Sequence, residues 1–304
     1  MQMVEIALAL ALLASFFFSS RDVSVRKSLV KADLYSSLVI TLLFAIPISG
    51  VIALLTGEIW QLTTLDPIVI QLFATVGILQ FVFTRGLYYA GIGILGASRA
   101  IAIVKMDSAL AVLLAVLFIG EGITLLIAIS VIVVMAGVFL VSFSESSGQQ
   151  KEGTAVTRQK FYRGLMYLIL GATGSAVLPL MIRVSLLQSG VPVLGILIAS
   201  SFALMILAPL SLVGRFRNRL LGLDRNSIKF ITYSSIFATS GQIAKFVALG
   251  LAPVVFVAPI LNANILITFF LAYLFIRRQE LVNSKVIVGG LLVVVGITVL
   301  ALIG

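Results

Sequence analysis

The chain has 304 residues, of which 61% are hydrophobic and only 11% are charged, and its mean hydropathy is +1.22. Soluble domains are about half apolar and about a quarter charged, so this composition excludes an ordinary soluble protein and predicts a polytopic membrane protein. The net charge of +10 comes from Lys and Arg in short breaks between apolar runs, a distribution that fits membrane topology and does not predict nucleic acid as a partner.

Ten apolar segments are long enough, at about 20 residues each, to cross ~30 Å of hydrocarbon as helices. Backbone amides in lipid must be satisfied within their own segment, and the alternating pattern of barrel strands is missing. We therefore predict an all-α integral membrane protein with ten transmembrane helices. The segments are residues 3–19, 34–56, 68–89, 97–119, 122–143, 163–187, 192–213, 229–249, 252–275 and 283–303.

The basic residues predict the orientation of these helices. Four breaks, between helices 1 and 2, 5 and 6, 7 and 8, and 9 and 10, hold sixteen of the 21 Lys and Arg and share one side. The positive-inside rule places that side in the cytoplasm, and both termini outside a prokaryotic-type inner membrane. The first segment has Glu5 and no basic residue ahead of its apolar core, so we interpret it as a retained helix and not as a signal peptide.

A polar stretch near the middle of the chain, "SESSGQQKEGTAVTRQK" (residues 144–160), predicts a linker between two halves. The predicted domains are residues 1–143, a linker at 144–162, and residues 163–304. At an offset of 159, Gly91 falls on Gly250 and Gly137 falls on Gly296. Because each half has an odd number of helices, the second copy is predicted to be inverted relative to the first.

The sequence "GIGILG" (residues 91–96) has the G-x-G-x-x-G spacing of dinucleotide-binding loops. That function needs a preceding β-strand and a soluble βαβ unit, whereas here the motif lies between two apolar segments. We interpret it as a tight turn between helices 3 and 4, with Ser98 as a helix cap.

Lys105 and Asp107 lie near the middle of predicted helix 4, where an ionisable side chain costs ~3 kcal/mol or more unless it faces a partner or a wet cavity. Two residues apart on a helix, they are expected to point to nearly opposite faces, one to a cavity and one to a neighbouring helix. The offset of 159 places Asn262 and Asn264 at the same depth in helix 9. We predict that these four residues line a substrate cavity; the alternative is a buried network that clamps helices 4 and 9 without touching substrate.

Further polar side chains extend this predicted cavity. Gln80, Thr84 and Tyr88 recur every four residues on helix 3, and Gln242 and Lys245 share a face of helix 8. We include Gln80, Tyr88, Gln242 and Lys245 in the predicted substrate site; the alternative for such stripes is helix packing.

Other charged residues are assigned structural roles. Glu121 and Glu280 are each the first charged residue of a predicted helix, where a carboxylate complements the helix dipole. Arg85 and Arg183 are interpreted as side chains that snorkel to the interface. Since the chain has no Cys and no His, disulfides and the usual ligands of zinc are missing, and no metal or cofactor is expected.

In residues 85–140, predicted helix 3 ends with aromatic residues and glycine, and helix 4 starts with small residues. Helix 5 is preceded by "GE" at Gly120 and Glu121 and has a glycine near its end. Residues 249–300 repeat this pattern more weakly. The sequence thereby resembles the paired EamA modules of the drug/metabolite transporter superfamily. It departs from that pattern at "RRQE" (residues 277–280), which replaces the second Gly-Glu, and in the predicted position of both termini outside. The resemblance implies a secondary carrier that moves small metabolites, often outward, by alternating access.

The predicted function is a proton- or gradient-coupled carrier, or an exchanger, of a small polar metabolite such as an amino acid or organic anion. Lys105 would bind an anionic group, the asparagines would hydrogen-bond the remainder, and Asp107 is the candidate proton site because a carboxyl group away from water retains its proton more readily. The expected partners are the small-molecule substrate, the bilayer, and a coupling proton or counter-substrate. The alternatives are broad efflux of amphipathic compounds or translocation of a lipid-linked sugar, then a membrane-embedded enzyme or a scaffold subunit. No enzymatic activity is expected, since Asp107 is the only acidic residue deep in a predicted span.

Overall fold

A computed structural model describes residues 2–28, 34–95, 103–148, 158–214, 217–218, 222–276 and 284–303. These residues form helices and no strand, which confirms the all-α prediction. The helices are α1 (Gln2–Ser28), α2 (Leu34–Leu55), α3 (Pro67–Leu95), α4 (Asp107–Ile119), α5 (Leu125–Gly148), α6 (Arg158–Ser189), α7 (Pro192–Leu212), α8 (Arg225–Leu251), α9a (Val254–Asn262), α9b (Asn264–Ile276) and α10 (Ser284–Ile303).

Five of the described segments are long and apolar enough to cross a membrane: Met3–Ser24, Tyr35–Leu55, Pro67–Leu95, Arg158–Ser189 and Pro192–Leu212. The outer surface of the bundle is apolar, with large side chains such as Leu55, Phe118 and Leu212 about four-fifths exposed. Lipid is the solvent that such a surface requires. The count of ten spans stays a prediction.

Helices from the two ends of the chain pack together in pairs. α1 packs on α8 and α3 on α6, while α2 packs on α7, α5 on α10 and α4 on α9a. Small residues allow this close approach: a Cβ on Gly137 of α5 would lie 2.5 Å from the carbonyl oxygen of Gly289, and one on Gly296 of α10 would lie 2.5 Å from Val134. Such contacts are typical of helix pairs in lipid, where packing and not water expulsion drives association.

The prediction of a tight turn at "GIGILG" is wrong for the residues that the structure describes. Gly91 and Gly93 lie inside α3, and Gly91 is buried against Gly164 and Leu168 of α6. The glycine is therefore required by the approach of a neighbouring helix and not by a turn. Gly96 and Ser98 lie outside the described residues.

Three helices are interrupted near the middle of the bundle. α3 contains a π-helical segment at Leu79–Thr84, the predicted fourth helix has a turn at residues 105–106 between helical residues 103–104 and α4, and α9 is divided at Ala263. The predicted start of helix 4 at residue 97 lies outside the described residues. Near the last break, Ala263 and Leu266 each bond to a carbonyl three residues back. Interruptions of this kind in spanning helices expose backbone and are tolerated where they border protein or a cavity.

The predicted linker at 144–162 is partly helical. α5 continues to Gly148 and α6 already begins at Arg158, so only residues 149–157 lie between them, outside the described residues. The division into the domains 1–143 and 163–304 stays a prediction.

Candidate functional site

The interruptions of α4 and α9 meet at a network of four polar side chains. Lys105 Nζ donates to Asn264 Oδ1 at 2.7 Å and to Asn262 Oδ1 at 3.1 Å, and Asn262 Nδ2 donates to Asp107 Oδ1 at 2.9 Å. All four side chains are half-buried. The structure therefore brings together the four residues that the sequence placed at one depth.

The spacing of Lys105 and Asp107 predicted that one side chain faces a cavity and the other faces a neighbouring helix. The structure does not have this arrangement. Both are joined to α9 through the side chain of Asn262. The opposite-face argument assumes a continuous α-helix, and here the backbone turns at residues 105–106 before α4 begins. A turn changes the angle between successive side chains, so both groups reach the same partner.

A small cavity lies between α2, α3, α7 and α8. Two of the predicted residues, Gln80 and Gln242, line the cavity and are buried. The other polar groups of its lining are Thr41, Arg85, Ser200 and Thr239.

Tyr88 is not among the residues that line this cavity, and the stripe of Gln80, Thr84 and Tyr88 is divided. Thr84 Oγ1 would lie 3.1 Å from a Cβ on Gly174 of α6, so it faces α6 while Gln80 faces the cavity. The π-helical segment at Leu79–Thr84 explains the division, because it takes more residues per turn than an α-helix. Tyr88 instead packs beside Tyr89, with ring centroids 5.5 Å apart.

Charged groups continue from the network towards the cavity. Lys245, one turn from Gln242 on α8, interacts electrostatically with Asp107 and with Arg85. Arg85 interacts in turn with Arg21 and Asp22 of α1, which form a salt bridge of 2.6 Å. Arg85 is the charged residue of the cavity lining, whereas the four residues of the network and Lys245 are not among the residues that line it.

Arg85 is the functional candidate that the sequence reasoning missed. Its guanidinium borders the cavity and lies 4.9 Å from the centroid of the Phe81 ring. The predicted role of Arg85 was a side chain that snorkels to the interface, but its position eighteen residues into α3 places it well inside the span. An arginine inside a span is a functional candidate by default.

Two carboxylates cap helices at the side of the bundle opposite the predicted linker. Glu58 Oε2 accepts from the N–H groups of Val193 and Leu194 at 2.9 and 2.8 Å. Glu121 accepts from those of Val254 and Val255 at 2.8 and 3.0 Å. Both thus join an early segment of the chain to the start of a later helix.

The prediction that Glu121 complements the dipole of its own helix is wrong, since α5 begins only at Leu125 and the carboxylate caps α9a. The physical principle is the same, because free N–H groups and the helix dipole favour an anion there. Glu280 lies outside the described residues. Arg183, assigned to snorkelling, donates to the carbonyl oxygens of Leu249 and Gly250 at 2.8 Å and so caps α8.

Within the part of the chain that the structure describes, no group of three His, Cys, Asp or Glu side chains is arranged to hold a metal ion.

Comparison with known proteins gives a family and a fold. Residues 5–143 match the model of the EamA-like transporter family. A crystal structure of another protein aligns with 98% of this chain and 96% of its own length, at a TM-score of 0.72 and 13% sequence identity. At this identity the alignment shows a shared fold alone. No curated protein matches the sequence.

Proposed function

We propose that this chain, whose residues 5–143 match the model of the EamA-like transporter family, carries a small anionic metabolite by alternating access. The match confirms the resemblance to an EamA module for residues 5–143, and the EamA family belongs to the drug/metabolite transporter superfamily. A second EamA module in the later half of the chain stays a prediction. The class of substrate, the outward direction of transport and its coupling to a second solute are proposals.

The observation that carries the proposal is the network of Lys105, Asp107, Asn262 and Asn264 between two interrupted helices. Carriers bind their substrates near the middle of the bilayer, at the interface between repeats and beside broken helices. Charged groups at that depth are costly and persist where substrate or protons pass.

We propose that Asp107 couples a proton to the substrate. As a carboxylate, Asp107 accepts from Asn262 and lies in the field of Lys105. A proton on Asp107 removes that negative charge, which weakens the Asn262 bond and leaves the charge of Lys105 uncompensated. An anionic substrate bound near the network then compensates the charge of Lys105.

Reciprocal contacts support an arrangement of two inverted copies. At the offset of 159, Val134 corresponds to Val293 and Gly137 to Gly296. Gly137 packs on Val293, and Gly296 packs on Val134. A twofold relation produces this exchange of partners, since the contact of one residue with another is repeated with the roles reversed. The helix pairs α1–α8 and α3–α6 have the same reciprocity.

Transport by purified protein in proteoliposomes tests the proposal. A panel of radiolabelled amino acids and organic acids identifies a substrate, and an imposed pH gradient drives its accumulation. We expect Lys105→Ala to lose transport, and Asp107→Asn to retain exchange between equal pools but to lose accumulation driven by the gradient. Full activity of both variants would reject these assignments, and the exposed Lys160→Ala serves as a control of unchanged activity.

A further inference from the structure

We propose that Arg85 and Gln242 recognise the substrate at two ends of one molecule, and that the cavity takes an anion that also carries a hydrogen-bond donor. Arg85 pairs with the anionic group, and Gln242 Oε1 accepts from a hydroxyl or N–H group of the same molecule. This inference deepens the proposed function and rests on it, but it assigns residues outside the Lys105 network.

The first support is the set of charges that interact electrostatically with Arg85, directly or through Lys245 and Asp107. The described residues in mutual electrostatic contact are four basic side chains and two acidic ones, which leaves an excess of two positive charges: Arg21, Arg85, Lys105 and Lys245 against Asp22 and Asp107. Both carboxylates are engaged, Asp22 by Arg21 and Asp107 by Asn262. A positive excess in a medium of low dielectric constant attracts an anion strongly.

The second support is the position of Arg85 itself. Its guanidinium lies over the Phe81 ring and borders the cavity, and none of the described residues forms a hydrogen bond with it. A stacked guanidinium keeps its fork of N–H donors in one plane, which suits the bidentate binding of a carboxylate or a phosphate group.

The third support is an orphan acceptor. Gln242 is 91% buried, lines the cavity, and its Oε1 has no hydrogen-bond partner among the described residues. A buried carbonyl oxygen without a donor is unfavourable, so native structures pair such atoms with protein, water or ligand. A ligand that brings a donor satisfies Gln242, and a ligand that lacks one does not.

Two hydroxyl groups of the lining are already engaged in hydrogen bonds within their own helices. Thr41 donates to the carbonyl oxygen of Ser37, and Thr239 donates to that of Ser235. These side chains return to their own helices, as threonine does in apolar surroundings. The lining thus offers Arg85 as its cation and Gln242 Oε1 as an unpaired acceptor, beside the polar side chains of Gln80 and Ser200 and the apolar walls of Phe81 and Phe246.

Matched sets of three compounds test the inference on the purified full-length protein. One set is 3-hydroxybutanoate, butanoate, which lacks the donor, and 3-hydroxybutanamide, which lacks the charge. The second is glycerol 3-phosphate, propyl phosphate and glycerol. We expect the complete anion to bind best in the set that fits, with each deletion weakening binding at least about tenfold, as measured by calorimetry. If no set binds in this order, the inference is overturned.

Two variants separate the roles. Arg85→Gln is expected to weaken the complete anion about tenfold while the uncharged analogue is unaffected, and Arg85→Lys to restore part of the loss. Gln242→Leu is expected to abolish the preference for the donor while the anion still binds. Equal losses for every compound in either variant would indicate a structural role and contradict the inference. Arg163→Gln, on the exposed start of α6, is the matched control.

The closing experiment separates this inference from the proposed function. If the ligand shows the predicted pattern of binding but is not exchanged across proteoliposome membranes, the site stands and the carrier proposal fails. If a substrate is transported and the Arg85 and Gln242 variants transport it with unchanged KM, the carrier stands and this assignment fails.

Discussion

Lys105 Nζ lies 2.7 Å from Oδ1 of Asn264, the residue found 159 positions later in the chain. That separation is the offset at which the two halves of the sequence align, so a residue contacts the residue at its own equivalent position. In a twofold arrangement such contacts occur only beside the axis. The contact between Lys105 and Asn264 is therefore the kind of contact expected beside the axis if the two halves are related by the proposed twofold symmetry.

The hydrogen bond from Lys105 to Asn264 contributes to stability. Asn264→Leu removes an acceptor from a charged donor, and we expect the free energy of unfolding to fall by about 1.5–3 kcal/mol. Thermal unfolding in detergent measures this change. Thr298→Ala alters an exposed hydroxyl on α10 and should leave the melting temperature within about a degree of wild type, because surface substitutions typically cost under ~0.5 kcal/mol. An unchanged melting temperature in Asn264→Leu would show that the bond is not formed in solution.

The Glu121 carboxylate holds α9a to the segment before α5. In Glu121→Gln an uncharged amide replaces a carboxylate whose two oxygens each accept one N–H bond, and we expect a loss of about 1–2 kcal/mol. The same change should loosen this side of the bundle. Faster maleimide labelling of Ser200→Cys, a cavity residue, in the Glu121→Gln background measures that opening. Glu5→Gln, at an exposed site on α1, is the control; equal labelling rates in all three backgrounds would argue against a closing role.

The first two glycines of "GIGILG" should respond differently to alanine. A Cβ on Gly91 would overlap the side chain of Leu168, whereas one on Gly93 would meet nothing within 4 Å. We expect Gly91→Ala to cost about 1–3 kcal/mol through overpacking and Gly93→Ala to be neutral or to stabilise α3 by up to ~1 kcal/mol. Parallel unfolding experiments on the two variants check this difference. The opposite order would disprove the packing role of Gly91.

The orientation of the chain can be measured directly because it contains no Cys. Gly153→Cys in the predicted linker should react with a membrane-impermeant maleimide only after the cells are broken. Thr63→Cys, at an exposed site between α2 and α3, should react in intact cells. The reversed pattern would place both termini in the cytoplasm and overturn the positive-inside interpretation.

The sequence correctly indicated which polar residues lie at the same level along the helices, but not the direction in which their side chains point. Apolar length and the repeat offset placed Lys105, Asp107 and the two asparagines at one level, and they meet there. Which side chains face the cavity depends on irregular backbone, whereas the periodicity of a sequence predicts facing side chains only for a regular helix. The π-helical segment turned Thr84 towards α6, and the turn before Asp107 brought it to Asn262.

By itself the sequence determined that the chain is helical and lives in lipid, because every residue adds its own hydropathy and lipid leaves each span to satisfy its own backbone. It also predicted that Lys105, Asp107 and the two asparagines share one depth, and they meet in the structure. Only the tertiary structure decided that Arg85 and Gln242 border one cavity and that Glu58 and Glu121 cap helices more than a hundred residues away. Those contacts depend on how helices pack across the two halves, which is a property of neighbours and not of any segment alone.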